Sequence, residues 1–223
     1  MIGGSSRGLG EMGFDFVIFR YRNRYSHDTI TIQKISNEYS LFFVKEEIKL
    51  DKQEIARRIY NASYVTGEFM LRSGKRSHEY FDKYLFESDP SLLVEISKIM
   101  KHLIPAETEI IAGLEMGGIP IVTALSIESG VQSAFVRKTA KEYGTCKLAE
   151  GADVRDKNVC VIEDVVSTGG QIIESVKELR KRGAKIDTVL CVILRDEKAV
   201  EILADENLKI IPAFTMDYIK EKI

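Results

Sequence analysis

The segment Val159-Cys-Val-Ile-Glu-Asp-Val-Val-Ser-Thr-Gly-Gly170 decides how the rest of the chain is read. Four apolar residues lead into Glu163 and Asp164, as in a buried strand that ends in two acids. Val165, Val166, Ser167, Thr168 and Gly169 read as a five-residue loop. The stretch 170–183 follows as a helix, with Ile172, Ile173, Val176 and Leu179 on one face and Gly183 at its end. Backbone N–H groups at a helix N-terminus bind an oxyanion, aided by the helix dipole. Gly169 and Gly170 allow close approach, and Ser167 and Thr168 add hydroxyl donors. The two acids repel a phosphate but accept hydrogen bonds from sugar hydroxyls. A ribose 5-phosphate matches that chemistry.

Outward from this segment, helices and short apolar strands alternate. Strands are expected at 109–113, 133–138, 158–164 and 188–194, with a last one in LKIIPAF. Helices are expected from Leu50 to Val65, from Asp89 as cap with Pro90 first, and from Ile119 to a stop at Gly130. KAVEILAD and MDYIKEKI read as shorter ones. Continuous apolar strands between helices predict an α/β fold, with a mostly parallel sheet covered on both faces. Ligands then bind beyond the carboxyl ends of the strands. Residues 1–47 read differently, as an N-terminal extension of unknown role whose aromatic and β-branched stretches suggest either short strands or a disordered segment.

Composition narrows the class. The 223 residues include 44% apolar and 30% charged, with 32 basic against 34 acidic and a net charge of −2. That balance argues against a nucleic-acid-coating protein. Cys146, Cys160 and Cys191 are odd in number and widely spaced, which indicates neither a disulfide framework nor a zinc site. A reducing cytoplasm is expected, with no membrane span and no secretory signal.

The motif VIEDVVSTGG resembles the PRPP-binding motif of the type I phosphoribosyltransferases, and three more segments resemble the orotate phosphoribosyltransferases in particular. The resemblance covers residues 48–223, which would form one catalytic domain with a small N-terminal hood. In the hood segment 69–86, Arg72 stands where many members have Lys, and Tyr80 and Phe81 fill positions that pack on orotate. GLEMGGIP (113–120) would serve pyrophosphate through backbone amides, with Gly117 where some members carry Lys. FVRKTAKEYGT (135–145) matches a mobile catalytic loop through Arg137, Lys138 and Lys141, with Tyr143 in place of a common His. Arg195, at the end of a strand, would clamp the orotate carboxylate with its fork.

The resemblance implies transfer of the 5-phosphoribosyl group from PRPP to orotate, giving orotidine 5′-monophosphate and pyrophosphate for UMP biosynthesis. Arg137, Lys138 and Lys141 would neutralise the leaving pyrophosphate. PRPP would be held by these three with Tyr143, Arg72, Gly117 and residues 163–171, from Glu163 through Gln171. Ser167, Arg195, Tyr80 and Phe81 would hold orotate. Mg²⁺ would be carried by PRPP near Glu163 and Asp164, not by protein ligands, and a homodimer would share its loops between sites. A phosphoribosyltransferase for another base, or a non-catalytic PRPP-sensing regulator, is the alternative. Arg195 and the Arg72–Ser77 segment favour orotate over other bases. The three loop cations and the net charge of −2 disfavour a regulator that binds nucleic acid.

Overall fold

The computed structural model describes residues 19–22, 29–35, 38–44, 51–70, 74–139 and 148–222. The chain divides into two units, Met1–Lys49 and Leu50–Ile223. In the first, β1 (Phe19–Arg22), β2 (Thr29–Ile35) and β3 (Glu38–Val44) form an antiparallel meander.

The second unit opens with α1 (Lys52–Ser63), capped by Asp51, whose carboxylate accepts from the Gln53 N–H at 2.9 Å. The helix stops two residues before the sequence-predicted end. Tyr64 and Val65, aromatic and β-branched, start β4 (Tyr64–Met70) instead, paired antiparallel with β5 (Arg76–Phe81). A short helix, α2 (Lys83–Glu87), follows and buries Phe86 completely. This hairpin and helix form the hood segment. The next helix, α3 (Pro90–Lys101), has the cap expected of it: Asp89 accepts from the N–H groups of Ser91 at 2.8 Å and Leu92 at 3.2 Å.

The main sheet has six strands: β6 (Ile110–Leu114), β7 (Gln132–Val136), β8 (Ala149–Gly151), β9 (Asn158–Val166), β10 (Lys185–Leu194) and β11 (Lys209–Thr215). Their order is β11-β10-β9-β6-β7-β8. All neighbours are parallel except β8, which runs antiparallel to β7. The remaining helices are α4 (Gly118–Ser129), α5 (Gly170–Lys181), α6 (Lys198–Ala204) and α7 (Met216–Glu221). Gly130 and Gly183 sit in the left-handed region just past α4 and α5, as the sequence stop signals require.

Alternate residues of β9 feed two cores. Val159 and Val161 join Ile172, Val176 and Leu179 of α5 and Leu203 of α6 on one face. Cys160 and Ile162 join Ile59 of α1, Ile96 of α3, Leu125 of α4 and Ile219 of α7 on the other. Both faces are covered, which explains the unbroken apolar run that the sequence presents. Chain order runs one way from β6 (to β7) and the other way from β9 (to β10 and β11). The switch point therefore lies between the carboxyl ends of β6 and β9, where a ligand crevice forms in such sheets. No helix among the described residues is long and apolar enough to cross a membrane.

Candidate active site

Two turns meet at that switch point. One is the Glu115–Gly117 turn after β6, where the Glu115–Met116 peptide is cis. The other is the turn after β9. The five-residue loop expected there is shorter. Val165 and Val166 continue the strand, paired with Ile193 and Leu194 of β10, so the turn is Ser167–Gly169. Val166 also accepts the Arg195 N–H at 2.8 Å. The extension arises because Val165 and Val166 are β-branched and Val166 is buried.

Gly169 has φ +75° and caps α5, and a side chain there would press on Leu203 at 3.1 Å. Gly170 differs: a Cβ on it would meet nothing within 4 Å. Its lack of a side chain answers no packing demand and leaves the helix N-terminus open. Ser167, Thr168, Gly170 and Gln171 are exposed. A twelve-residue helix ends here on free N–H groups, the arrangement that binds a phosphate.

Glu115 ties the surrounding turns together. Its Oε1 accepts the Lys138 backbone N–H at 2.5 Å, and its carbonyl accepts Gln171 Nε2 at 3.4 Å. Arg137 and Lys138 stand at the end of β7. Arg137 Nε lies 3.8 Å from Glu150 Oε1 of β8, and Lys138 is exposed. Arg195 follows β10 directly and is exposed. It does not pair with Asp196, whose carboxylate accepts the Lys198 N–H at 3.0 Å instead. The sheet thus brings residues 115–117, 137–138, 163–171 and 195 to one edge. Arg72, Lys141, Tyr143 and Cys146 lie outside the described residues.

Tyr80 and Phe81 do not form one aromatic platform. Successive strand residues point to opposite faces. Phe81 packs on the core, while Tyr80 is 44% exposed and stacks on Phe69 with ring centroids 5.5 Å apart.

The acid pair has an arrangement that the sequence does not announce. Glu163 is half-buried, and its Oε2 is buried without a hydrogen-bond partner. Asp164 is fully buried. Its Oδ1 accepts the Val165 N–H at 2.5 Å, and its Oδ2 lies 2.5 Å from Lys83 Nζ. The Gly117 backbone packs against the same carboxylate so closely that a Cβ would overlap it. Glu87, one helical turn after Lys83 on α2, is also buried beside Asp164. Lys83 and Glu87 are candidate site residues, by their contacts with Asp164, that sequence reading missed. The available signal was their i, i+4 spacing around the buried Phe86 in Asp82-Lys-Tyr-Leu-Phe-Glu87.

Burial, reinforced by Asp164, pushes the Glu87 and Glu163 carboxyls up to about 9. Burial alone would lower Lys83, but its hydrogen bond and charge pairing with Asp164 outweigh that and hold the ammonium above its ordinary value. In the unfolded chain both glutamates ionise near 4.5, so between pH 4.5 and about 9 the folded protein binds more protons. Stability therefore falls as pH rises through that window. Glu87→Gln removes one of the two contributions. Thermal melts from pH 5 to 9 are expected to give a flatter curve for the variant and a higher Tm than wild type at pH 8.5. Parallel curves would mean that Glu87 is ionised in the fold.

Residues 90–218 match the phosphoribosyl transferase domain. A relative from Nocardioides sp., named orotate phosphoribosyltransferase, is 49% identical over 151 residues, covering 68% of this chain and 84% of its own. One of the same name from Methanocella arvoryzae is 41% identical over 144 residues, covering 65% and 82% respectively. The crystal structure of Mycobacterium tuberculosis H37Rv orotate phosphoribosyltransferase superposes with a TM-score of 0.70 at 27% identity. The match covers 76% of this chain and 98% of that one. With the switch-point crevice, the small-residue turn that opens α5 and this shared sequence, the chain belongs to the orotate phosphoribosyltransferase family.

Proposed function

We propose that the protein transfers the 5-phosphoribosyl group of PRPP to N1 of orotate, releasing pyrophosphate and forming orotidine 5′-monophosphate, a step of UMP biosynthesis. The observation that carries this reading is the open N-terminus of α5 directly after the Glu163–Asp164 pair, at the switch point. The 5′-phosphate sits on the N–H groups of Ser167–Gln171, and Glu163 Oε2 accepts from a ribose hydroxyl. The diphosphate lies toward the Glu115–Gly117 turn and the cations Arg137, Lys138 and Lys141. Arg72 and Tyr143 are assigned to PRPP as well. Arg195 takes the orotate carboxylate, with Ser167 and the exposed Tyr80 beside the base; the core-packed Phe81 braces the hood.

Catalysis is mostly positioning and charge stabilisation of an oxocarbenium-like ring. The bond from C1 to the diphosphate oxygen breaks as the bond from N1 forms. Among the described residues, no three His, Cys, Asp or Glu side chains are grouped to hold a metal. Asp164 is taken by the Lys83 ammonium, so Mg²⁺ would arrive with PRPP, and Glu163 is the acid left that could lie beside it. Bound so, Mg²⁺ would offset the charge of the leaving diphosphate. The catalytic domain spans residues 48–223 and works in the cytoplasm as a homodimer sharing its catalytic loops.

The test is orotate consumption, followed by its ultraviolet absorbance, with PRPP and Mg²⁺, and with uracil, hypoxanthine and adenine in parallel. Orotate alone is expected to turn over. Lys141→Ala is expected to slow turnover by on the order of 10²–10³, comparable to losing an oxyanion donor. Turnover of another base, or tight PRPP binding with no turnover, would refute the orotate reading.

A further inference from the structure

The contact between Lys83 and Asp164 joins two parts of the site that the sheet alone does not connect. Asp164 lies near the end of β9, just before the turn assigned to the sugar phosphate, and Lys83 belongs to α2 of the hood segment. Lys83 does not act as a loose surface cation. Its helix is fixed by the fully buried Phe86, by the Asp82 cap on Tyr84 N–H at 3.1 Å, and by the Asp82 N–H on the Ser63 carbonyl at 2.8 Å. Three carboxyl groups, Glu87, Glu163 and Asp164, crowd one pocket around this single ammonium. Asp164 is clamped from three directions: Lys83 on Oδ2, the Val165 N–H on Oδ1, and the Gly117 backbone across its face. Glu163, near the carboxyl end of β9, is left with a buried, unpartnered oxygen.

We infer that Lys83 is a positioning residue for PRPP: by pinning Asp164, it leaves Glu163 as the acid presented to the ribose and holds the Gly117 turn in register with it. The inference rests on the proposed reading of this crevice as the PRPP site. Its chemistry is simple. An anion clamped by a fixed cation cannot swing toward the incoming diphosphate, and a fully buried carboxylate keeps its charge only while a cation offsets it. Lys83 acts through Asp164 and touches no reacting atom.

The test is a double-mutant cycle read by calorimetric PRPP binding, with Mg²⁺ present and no base. That readout stays available whatever base the enzyme uses, so failure of the orotate assignment and failure of this inference are separate results. Lys83→Met is expected to weaken PRPP at least tenfold, and Lys83→Arg by less. In turnover, the KM for PRPP is expected to rise while the KM for orotate holds. Asp164→Asn also weakens PRPP, and adding Lys83→Met to it is expected to cost nothing further. This double variant removes both charges, so it remains readable if Lys83→Met alone does not fold. A PRPP Kd within twofold of wild type in folded Lys83→Met would reduce Lys83 to a structural staple. A further loss in the double variant would mean that Lys83 contacts PRPP itself. Either result overturns the inference.

Discussion

Gly117→Ala is expected to lower kcat/KM for PRPP by on the order of 10⁴, combining a misplaced turn with a lost anion donor. It is also expected to cost about 1–3 kcal/mol of stability, as overpacking does. The added methyl would overlap the Asp164 carboxylate and sit 3.1 Å from its Cβ. One of the two must move, and both are held. Asp164 is fixed by Lys83 Nζ and the Val165 N–H, each at 2.5 Å. The turn is fixed through Glu115 by Lys138 at 2.5 Å and Gln171 at 3.4 Å. The exchange of Glu115 contacts is weaker in total than a fully buried, charge-paired acid, so the turn yields. Its backbone N–H groups then leave the position where the diphosphate charge develops. Steady-state kinetics with PRPP varied, beside thermal melts, check both numbers. A folded variant within tenfold of wild type would remove this turn from the site.

The same glycine shows where sequence reading reached and where it stopped. The strand–helix alternation of the main unit was legible because each β strand of the parallel sheet is a short apolar run between helix caps and stops. Asp89, Gly130 and Gly183 mark those boundaries chemically, and each occupies the geometry its residue type predicts. The turn that opens α5 was legible for the same reason: small residues mark a helix start whose N–H groups are left uncovered. Gly117 was readable only as a position lacking a charge. Its steric role depends on Asp164, 47 residues later, whose burial no local pattern reveals. Two acids after an apolar run suggest a solvent-facing end to the strand. The fold instead covers Asp164 with Lys83 from α2, a partner 81 residues earlier. Hood strand β4 was hidden because Tyr64 and Val65 continue the apolar spacing of α1, and only pairing with β5 decides between the two states. The resemblance assigns Tyr80 and Phe81 together to orotate, whereas alternation along β5 turns them to opposite faces. Local chemistry is legible in sequence; contacts that span the fold are not.

Gly170→Asp is expected to separate binding from folding. Gly170 is the first residue of α5, exposed, with open space where a side chain would project. An aspartate there replaces a glycine, which loses more conformational freedom on folding than any other residue. It also places a negative charge at the positive end of the helix, worth about 0.3–1 kcal/mol. The Tm is therefore expected to hold or rise. In the proposed site, PRPP brings its 5′-phosphate to the same N–H groups. Like charges about 4 Å apart at an effective dielectric near 20 repel by roughly 4 kcal/mol, on the order of 10³ in affinity. Gly170→Asn has the same shape without the charge and is expected to lose far less. Raising salt toward 1 M, where screening acts within about 3 Å, should recover part of the loss in the aspartate variant and little in the asparagine variant. Equal losses in the two variants would make the effect steric. An unchanged PRPP Kd in Gly170→Asp would place the phosphate elsewhere on the chain. A variant that is more stable yet barely binds its substrate would show that this helix start is kept bare for the ligand, since the fold itself favours the acid.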